Sequence, residues 1–179
     1  MDTLDILKIV LTQAVITIFA LIAGYIKLRQ DIYSSVAQLV RTRKLDRLEH
    51  QLAEFYGPLH MLTASNERAY QMAWGKDIWS KVFSEVLIPN HQEMEKILVS
   101  KLHLVNENPL PESYLDFLNH VRLVRFYKDS GLNPSYFEKD VPYPEQFNKD
   151  IAMGYEKLRT EYIAFLSGTL LADNKGTNR

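Results

Sequence analysis

Ile9-Val10-Leu11-Thr12-Gln13-Ala14-Val15-Ile16-Thr17-Ile18-Phe19-Ala20-Leu21-Ile22-Ala23-Gly24-Tyr25-Ile26 is a run of eighteen residues without a charge, fenced by Lys8 and Lys27. At about 1.5 Å rise per helical residue it spans roughly 27 Å, close to the roughly 30 Å hydrocarbon core of a bilayer. The two lysines can reach outward with their ammonium groups while their stems stay in lipid. The run reads as a single transmembrane helix. A cleaved signal peptide is one alternative, but it needs a basic start and a small-x-small cleavage site. Here Asp2 and Asp5 precede the only base, Lys8, and no good Ala-x-Ala follows the apolar core. A buried helix of a soluble protein is the other alternative, since Thr12, Gln13 and Thr17 are polar.

Charge orients the span. One base, Lys8, precedes it; Lys27, Arg29, Arg41, Arg43, Lys44 and Arg47 follow, against Asp31 and Asp46, so residues 27–47 carry +4. Basic residues next to a membrane segment stay on the cytoplasmic side, which predicts a short N-terminus outside and a large cytoplasmic C-terminal part. Tyr25 and Tyr33 suit the inner interfacial belt. The basic stretch could also rest on anionic headgroups. The chain has no cysteine, so no disulfide framework is called for.

Beyond the span remain about 150 of the 179 residues, enough for one domain with its own core. Residues 48–179 hold 14 basic and 18 acidic side chains, a balance that argues against a nucleic-acid-binding body. No internal repeat or low-complexity tract stands out.

Helical periodicity dominates this part. Leu45, Leu48, Leu52, Phe55, Leu59 and Leu62 are spaced 3, 4, 3, 4, 3, an a/d seam whose register Asn66, Ala69 and Ala73 continue. The anchor can run into this seam as one helix through Ile32, Val36 and Leu39. Gly57 and Pro58 interrupt it: Pro58 has no N–H for the carbonyl of Glu54, so the pair predicts a kink. A second helix is expected after Asp77 as N-cap, through Ile78, Val82, Val86 and Leu87, with a kink or restart at Pro89. Met94, Ile97, Leu98, Leu102 and Val105 mark its further apolar face.

Asn106 to Pro111 reads as a loop, and Pro111 as the first residue of a third helix. That helix carries Tyr114, Leu115, Leu118, Val121, Leu123 and Val124 and stops near Gly131. Residues 133–144 read as an ordered loop. The last helix, about 145–171, turns Phe147, Ile151, Tyr155, Leu158, Tyr162, Phe165 and Leu166 inward. The fold class is all-α: an anchor (1–30), a basic juxtamembrane helical linker (31–44), a bundle of about four helices (45–171) and a flexible tail (172–179).

Candidate sites are sparse. His91/Glu95 and Asp116/His120 are pairs four apart that could meet on facing helices around a divalent metal. Such pairs are also common surface hydrogen bonds, and the Glu-x-x-His spacing of di-iron bundles is absent. No cofactor is called for: glycine-rich phosphate loops and nucleophile elbows are missing. Tyr70, Trp74 and Trp79 around Gly75 suit a packed corner better than a partner surface. In the span, Gln13, Thr17, Ala20 and Gly24 share one face, and Ala20-x-x-x-Gly24 lets helices approach closely.

Glu54-Phe55-Tyr56-Gly57-Pro58-Leu59, with Ile88-Pro89-Asn90, Met94-Glu95, Lys101-Leu102-His103-Leu104 and Pro111-Glu112-Ser113 through Asp116-Phe117-Leu118, resembles the "EFYGPL" signature of a group of small bacterial proteins. Those proteins carry an N-terminal anchor and a helical cytoplasmic domain. The resemblance covers about residues 45–165. It implies a bacterial inner-membrane protein and brings no catalytic residue.

The sequence thus predicts a non-enzymatic, membrane-anchored helical interaction module. Its expected partners are the lipid bilayer, a second copy of the chain as a homo-oligomer, and a possible protein partner at the cytoplasmic face. A membrane-perturbing effector acting through clustered anchors, and a metal-dependent enzyme using the His/carboxylate pairs, are the alternatives.

Overall fold

The computed structural model describes residues 3–105, 109–131 and 142–167. Among these the fold is all-α, with no strand. Helix α1 is Thr3–Gln51, α2 Gly57–Ala73, α3 Trp79–Val82, α4 Ile88–Lys101, α5 Glu112–Asp129 and α6 Glu145–Leu166. The chain divides into two compact units, Met1–Lys44 and Leu45–Arg179.

The first unit is a helix whose side chains from Leu11 to Lys44 are exposed. It is long and apolar enough to cross a membrane, and none of that apolar window is buried. Leu11, Phe19 and Leu21 stand 65%, 68% and 69% exposed.

The second unit is a helical bundle built on the heptad seam. Leu48, Phe55 and Leu59 are buried, Leu45, Leu52 and Leu62 half-buried, and Asn66 and Ala73 buried further along the same register. The core adds Met94 and Leu98 from α4, Tyr114, Phe117 and Val121 from α5, and Phe147, Ile151 and Leu158 from α6. Helix α6 packs on α2 and on α5, and α4 packs between α2 and α5.

Both interior prolines are accommodated in the same way. Leu52–Tyr56 is a π-helical turn in which Gly57 N–H donates to the Leu52 carbonyl. Phe83–Leu87 is a second π turn, with Ile88 N–H donating to Phe83. Each ends just before an X-Pro pair. Proline cannot donate to residue i−4, and its ring crowds that carbonyl. Widening the preceding turn by one residue moves the ladder around the gap. In the first turn a Cβ on Gly57 would lie 2.4 Å from the Leu52 carbonyl oxygen, so that turn is closed too tightly for a side chain there, whereas the second carries Ile88 at the matching place. The two turns share a sequence pattern, Glu54-x-x-x-Pro58-x-His60 and Glu85-x-x-x-Pro89-x-His91.

Several expected boundaries move. Asp77 caps nothing: the residue before α3 is Ile78, with no side-chain cap bond. Pro111 is the N-cap of α5, not its first residue. Gly131, at φ +67°, follows α5 in the left-handed conformation that favours glycine. Ile78, Val86, Leu115, Leu123 and Leu166 are exposed, whereas Phe117, absent from the expected faces, is fully buried. The loop readings at 106–108 and 133–141, the end of the last helix at 168–171 and the tail at 172–179 lie outside the described residues.

Candidate functional site

Three regions carry the residues singled out by sequence. The first is the span. Gln13, Thr17, Ala20 and Gly24 are all exposed, and nothing lies within 4 Å of the place a Gly24 Cβ would occupy. The Thr17 hydroxyl donates to the Gln13 carbonyl at 2.8 Å, a bond that pairs one polar group within the helix. Counted back in sevens, the bundle's Leu45/Leu48 register lands on Gln38/Arg41, Asp31/Ser34, Gly24/Lys27 and Thr17/Ala20. One register is therefore apolar from Leu45 onward and small or polar before it.

The second region is the set of histidine and carboxylate pairs. His91 on α4 and His120 on α5 come together, ring centroids 5.4 Å apart and inclined by 74°. Both are buried. Their intended carboxylate partners are elsewhere. Glu95 is held by Arg125 Nη2, with Arg122 Nε at 3.8 Å from its other oxygen. Asp116 is exposed. Among the described residues, no group of three or more His, Cys, Asp or Glu is close enough to hold a metal ion. His91 and His120 thus form an aromatic pair and Glu95 an acid–arginine cluster, while Asp116 stands apart, instead of one ligand set.

His91 sits in a ring cluster. It stacks on Tyr143 at 5.6 Å and 24°, and meets Phe117 edge-on at 5.7 Å. His120 meets Tyr143 at 5.3 Å and 84°. The Tyr143 hydroxyl donates to Asn148 Oδ1 at 2.6 Å. Burial pushes that phenol's pKa up. Nδ1 of His91 is buried and finds no hydrogen-bond partner among the described residues. Burial lowers the His91 pKa from 6.5 to about 3, and the neighbouring His120 adds to the shift. A tyrosine face would return about 0.5–2 kcal/mol to a charged imidazole, against several kcal/mol for burying the charge. His91 is therefore neutral at pH 7.

His60, the counterpart of His91 in the first Pro-x-His, was not picked out from sequence. It stacks on Tyr155 of α6 at 4.6 Å and 13°. Its Nδ1 is likewise buried without a hydrogen-bond partner among the described residues. The repeated Glu-x-x-x-Pro-x-His pattern is the signal that could have found it.

The third region is the corner between α2 and α3. Tyr70, Trp74 and Trp79 contact one another, with centroids 4.9–5.3 Å apart, around Gly75 at φ +69°. Trp79 passes the contact on to Phe83 of the second π turn. The rings brace the α2–α3 corner, though Tyr70 and Trp74 keep 41% and 47% of their surface exposed.

No family model, curated protein or solved structure matches the chain.

Proposed function

We propose that the chain is a single-pass, membrane-tethered helical module that associates with itself and presents its bundle for protein binding at the cytoplasmic face. The observation that carries this reading is the first unit's surface. Large apolar side chains from Leu11 to Ile26 stand about half exposed or more, and none is buried. Leaving such a surface in water costs about 25 cal/mol per Å² of apolar area, and a bilayer removes that cost. Backbone groups in the span are paired within the helix, as lipid requires.

The charge asymmetry supports an N-terminus outside and the bundle inside, and the EFYGPL-type resemblance supports a bacterial inner membrane. Self-association is supported by the stripe Gln13, Thr17, Ala20 and Gly24. Lipid-facing residues surround it, and Gln13 needs a hydrogen-bond partner that a second helix can offer.

The test has two arms. Full-length protein should stay with membranes through alkaline carbonate washing and be released by detergent. A C-terminal fusion should be active with a cytoplasm-dependent reporter and silent with a periplasm-dependent one. Recovery in the aqueous fraction, or the opposite reporter pattern, defeats the proposal.

A further inference from the structure

Two histidines in matching positions of α2 and α4, each just after a π turn, share three properties. His60 and His91 each follow proline by two residues, each stacks face to face on a tyrosine, and each keeps a buried Nδ1 without a partner among the described residues. Both tyrosines belong to the C-terminal arm. Tyr155 lies on α6, and Tyr143 stands just before α6 and is tied to it through Asn148. The arm thus meets α2 and α4 at two imidazole–tyrosine stacks, and at His91 the neutral imidazole is the form that fits. We propose that His91 forms an acid-sensitive latch beside the fixed His60–Tyr155 stack: neutral, it seats Tyr143 and holds the arm on α2 and α4; protonated, it releases it.

The surroundings argue for release over tolerance. His91 faces His120 from α5, so a proton on either imidazole disfavours one on the other. Tyr143 keeps its own proton and cannot act as a counter-charge, and Glu67 of α2 acts on that phenol. Glu95, one turn along α4 from His91, is already committed to Arg122 and Arg125. His60 stacks on Tyr155 of α6. A proton on His91 thus meets a second imidazole, an un-ionised phenol with the Glu67 carboxylate acting on it, and a carboxylate already held by arginines.

Linkage sets the direction. His91 is harder to protonate when folded, so its stabilising effect is whole above pH 6.5 and falls as pH drops toward 3. At pH 5.0 the arm should open about 30-fold more often than at neutral pH from this one group, since each unit below the unfolded pKa is a factor of ten. Opening bares the buried Phe147, Ile151 and Leu158 of α6 and the Phe55–Leu59 face they cover.

Amide hydrogen exchange tests the latch in the full chain reconstituted in phospholipid nanodiscs at pH 7.5 and 5.0, each rate corrected for its intrinsic pH dependence. Residues 145–166 should lose protection at pH 5.0 by about 30-fold, more than α2 at 57–73, and H91F should largely abolish the difference. Equal loss across the bundle is general acid unfolding and overturns the latch. So does an unchanged loss in H91F. Should that variant fail to fold, a histidine NMR titration of the parent chain decides: a His91 that titrates near 6.5 in the folded state overturns the proposal, and one that stays neutral to pH 5 until α6 resonances broaden supports it.

Discussion

Gly154 of α6 lies against the ring of Tyr56: a Cβ at 154 would stand 2.3 Å from Tyr56 Cε1 and 2.8 Å from Cδ1. Tyr56 is 1% exposed and closes the first π turn, so its ring has little room to retreat. The close approach of α6 to that turn therefore depends on the absence of one methyl group.

Gly154→Ala sets two effects against each other. In an isolated helix alanine would gain about 1 kcal/mol over glycine. Here overpacking should cost about 1–3 kcal/mol, and the buried ring makes the cost win. Urea unfolding of the reconstituted chain should show net destabilisation, and Y56L/G154A should recover part of it. A G154A chain as stable as the parent would show that α6 is not seated this closely.

Phe117 and Phe147 stack at 4.1 Å and 10°, both fully buried, and join α5 to α6. Phe117→Ala should cost about 3–5 kcal/mol through lost burial and a cavity. Leu115→Ala, at a position 52% exposed, should change stability by less than about 0.5 kcal/mol. Equal effects would contradict the packing of α5.

These two residues also show where sequence stops being legible. The apolar period of α5 is wide enough that either face passes as the inner one. Leu115 and Phe117 differ by two positions, about 200° around a helix, and only the arrival of α6 decides between them. The heptad seam had no such ambiguity. Its spacing names Leu48, Phe55 and Leu59 directly, because a helix covered on one side needs a stripe. The first helix was legible for a third reason: its apolar run is long enough to cross a membrane, and its exposed side chains, not its composition, distinguish it from a buried core helix. Pro58 and Pro89 were legible as disturbances, whereas the π turns that absorb them depend on backbone geometry that no single residue reveals. The metal candidates His91, Glu95, Asp116 and His120 have regular spacing, but that spacing says nothing of Arg122 and Arg125, which claim Glu95. His60 was passed over because one histidine beside a proline carries no signal until its counterpart is seen.

Glu54 is tied to Lys101, 47 residues away, and to His50 on the preceding turn. The lysine, then the histidine, hold its carboxyl below the ordinary value of 4.5. A depressed carboxylate stabilises the fold above its unfolded pKa and loses that effect as pH falls through the folded one. Both partners are more than a third exposed, so the neutral-pH effect is small and salt-screened. Lys101→Met should raise the Glu54 pKa toward 4.5, seen by carboxyl NMR, and flatten the acid limb of stability below about pH 4.5. An unmoved Glu54 titration would mean that the pair is not made.

Gly24 offers the sharpest test of assembly. The position is open on every side, so Gly24→Ile meets no clash within the chain and leaves hydrophobic length and the flanking charges intact. Membrane insertion and topology should be unchanged. If helices approach along Gln13, Thr17, Ala20 and Gly24, a β-branched side chain at 24 holds the backbones apart, and crosslinking in membranes should fall several-fold. Gln13→Leu should act in the same direction by removing an interhelical hydrogen bond worth about 0.6–2 kcal/mol. Gly24→Ala, which keeps the residue small, should cost much less than Gly24→Ile. The ordering of the three variants matters more than any one value, because general damage to insertion would lower all of them together and would show in the carbonate-resistant fraction. Crosslinking that is equal in the parent chain and in G24I would leave the bundle, and not the span, as the seat of any self-association.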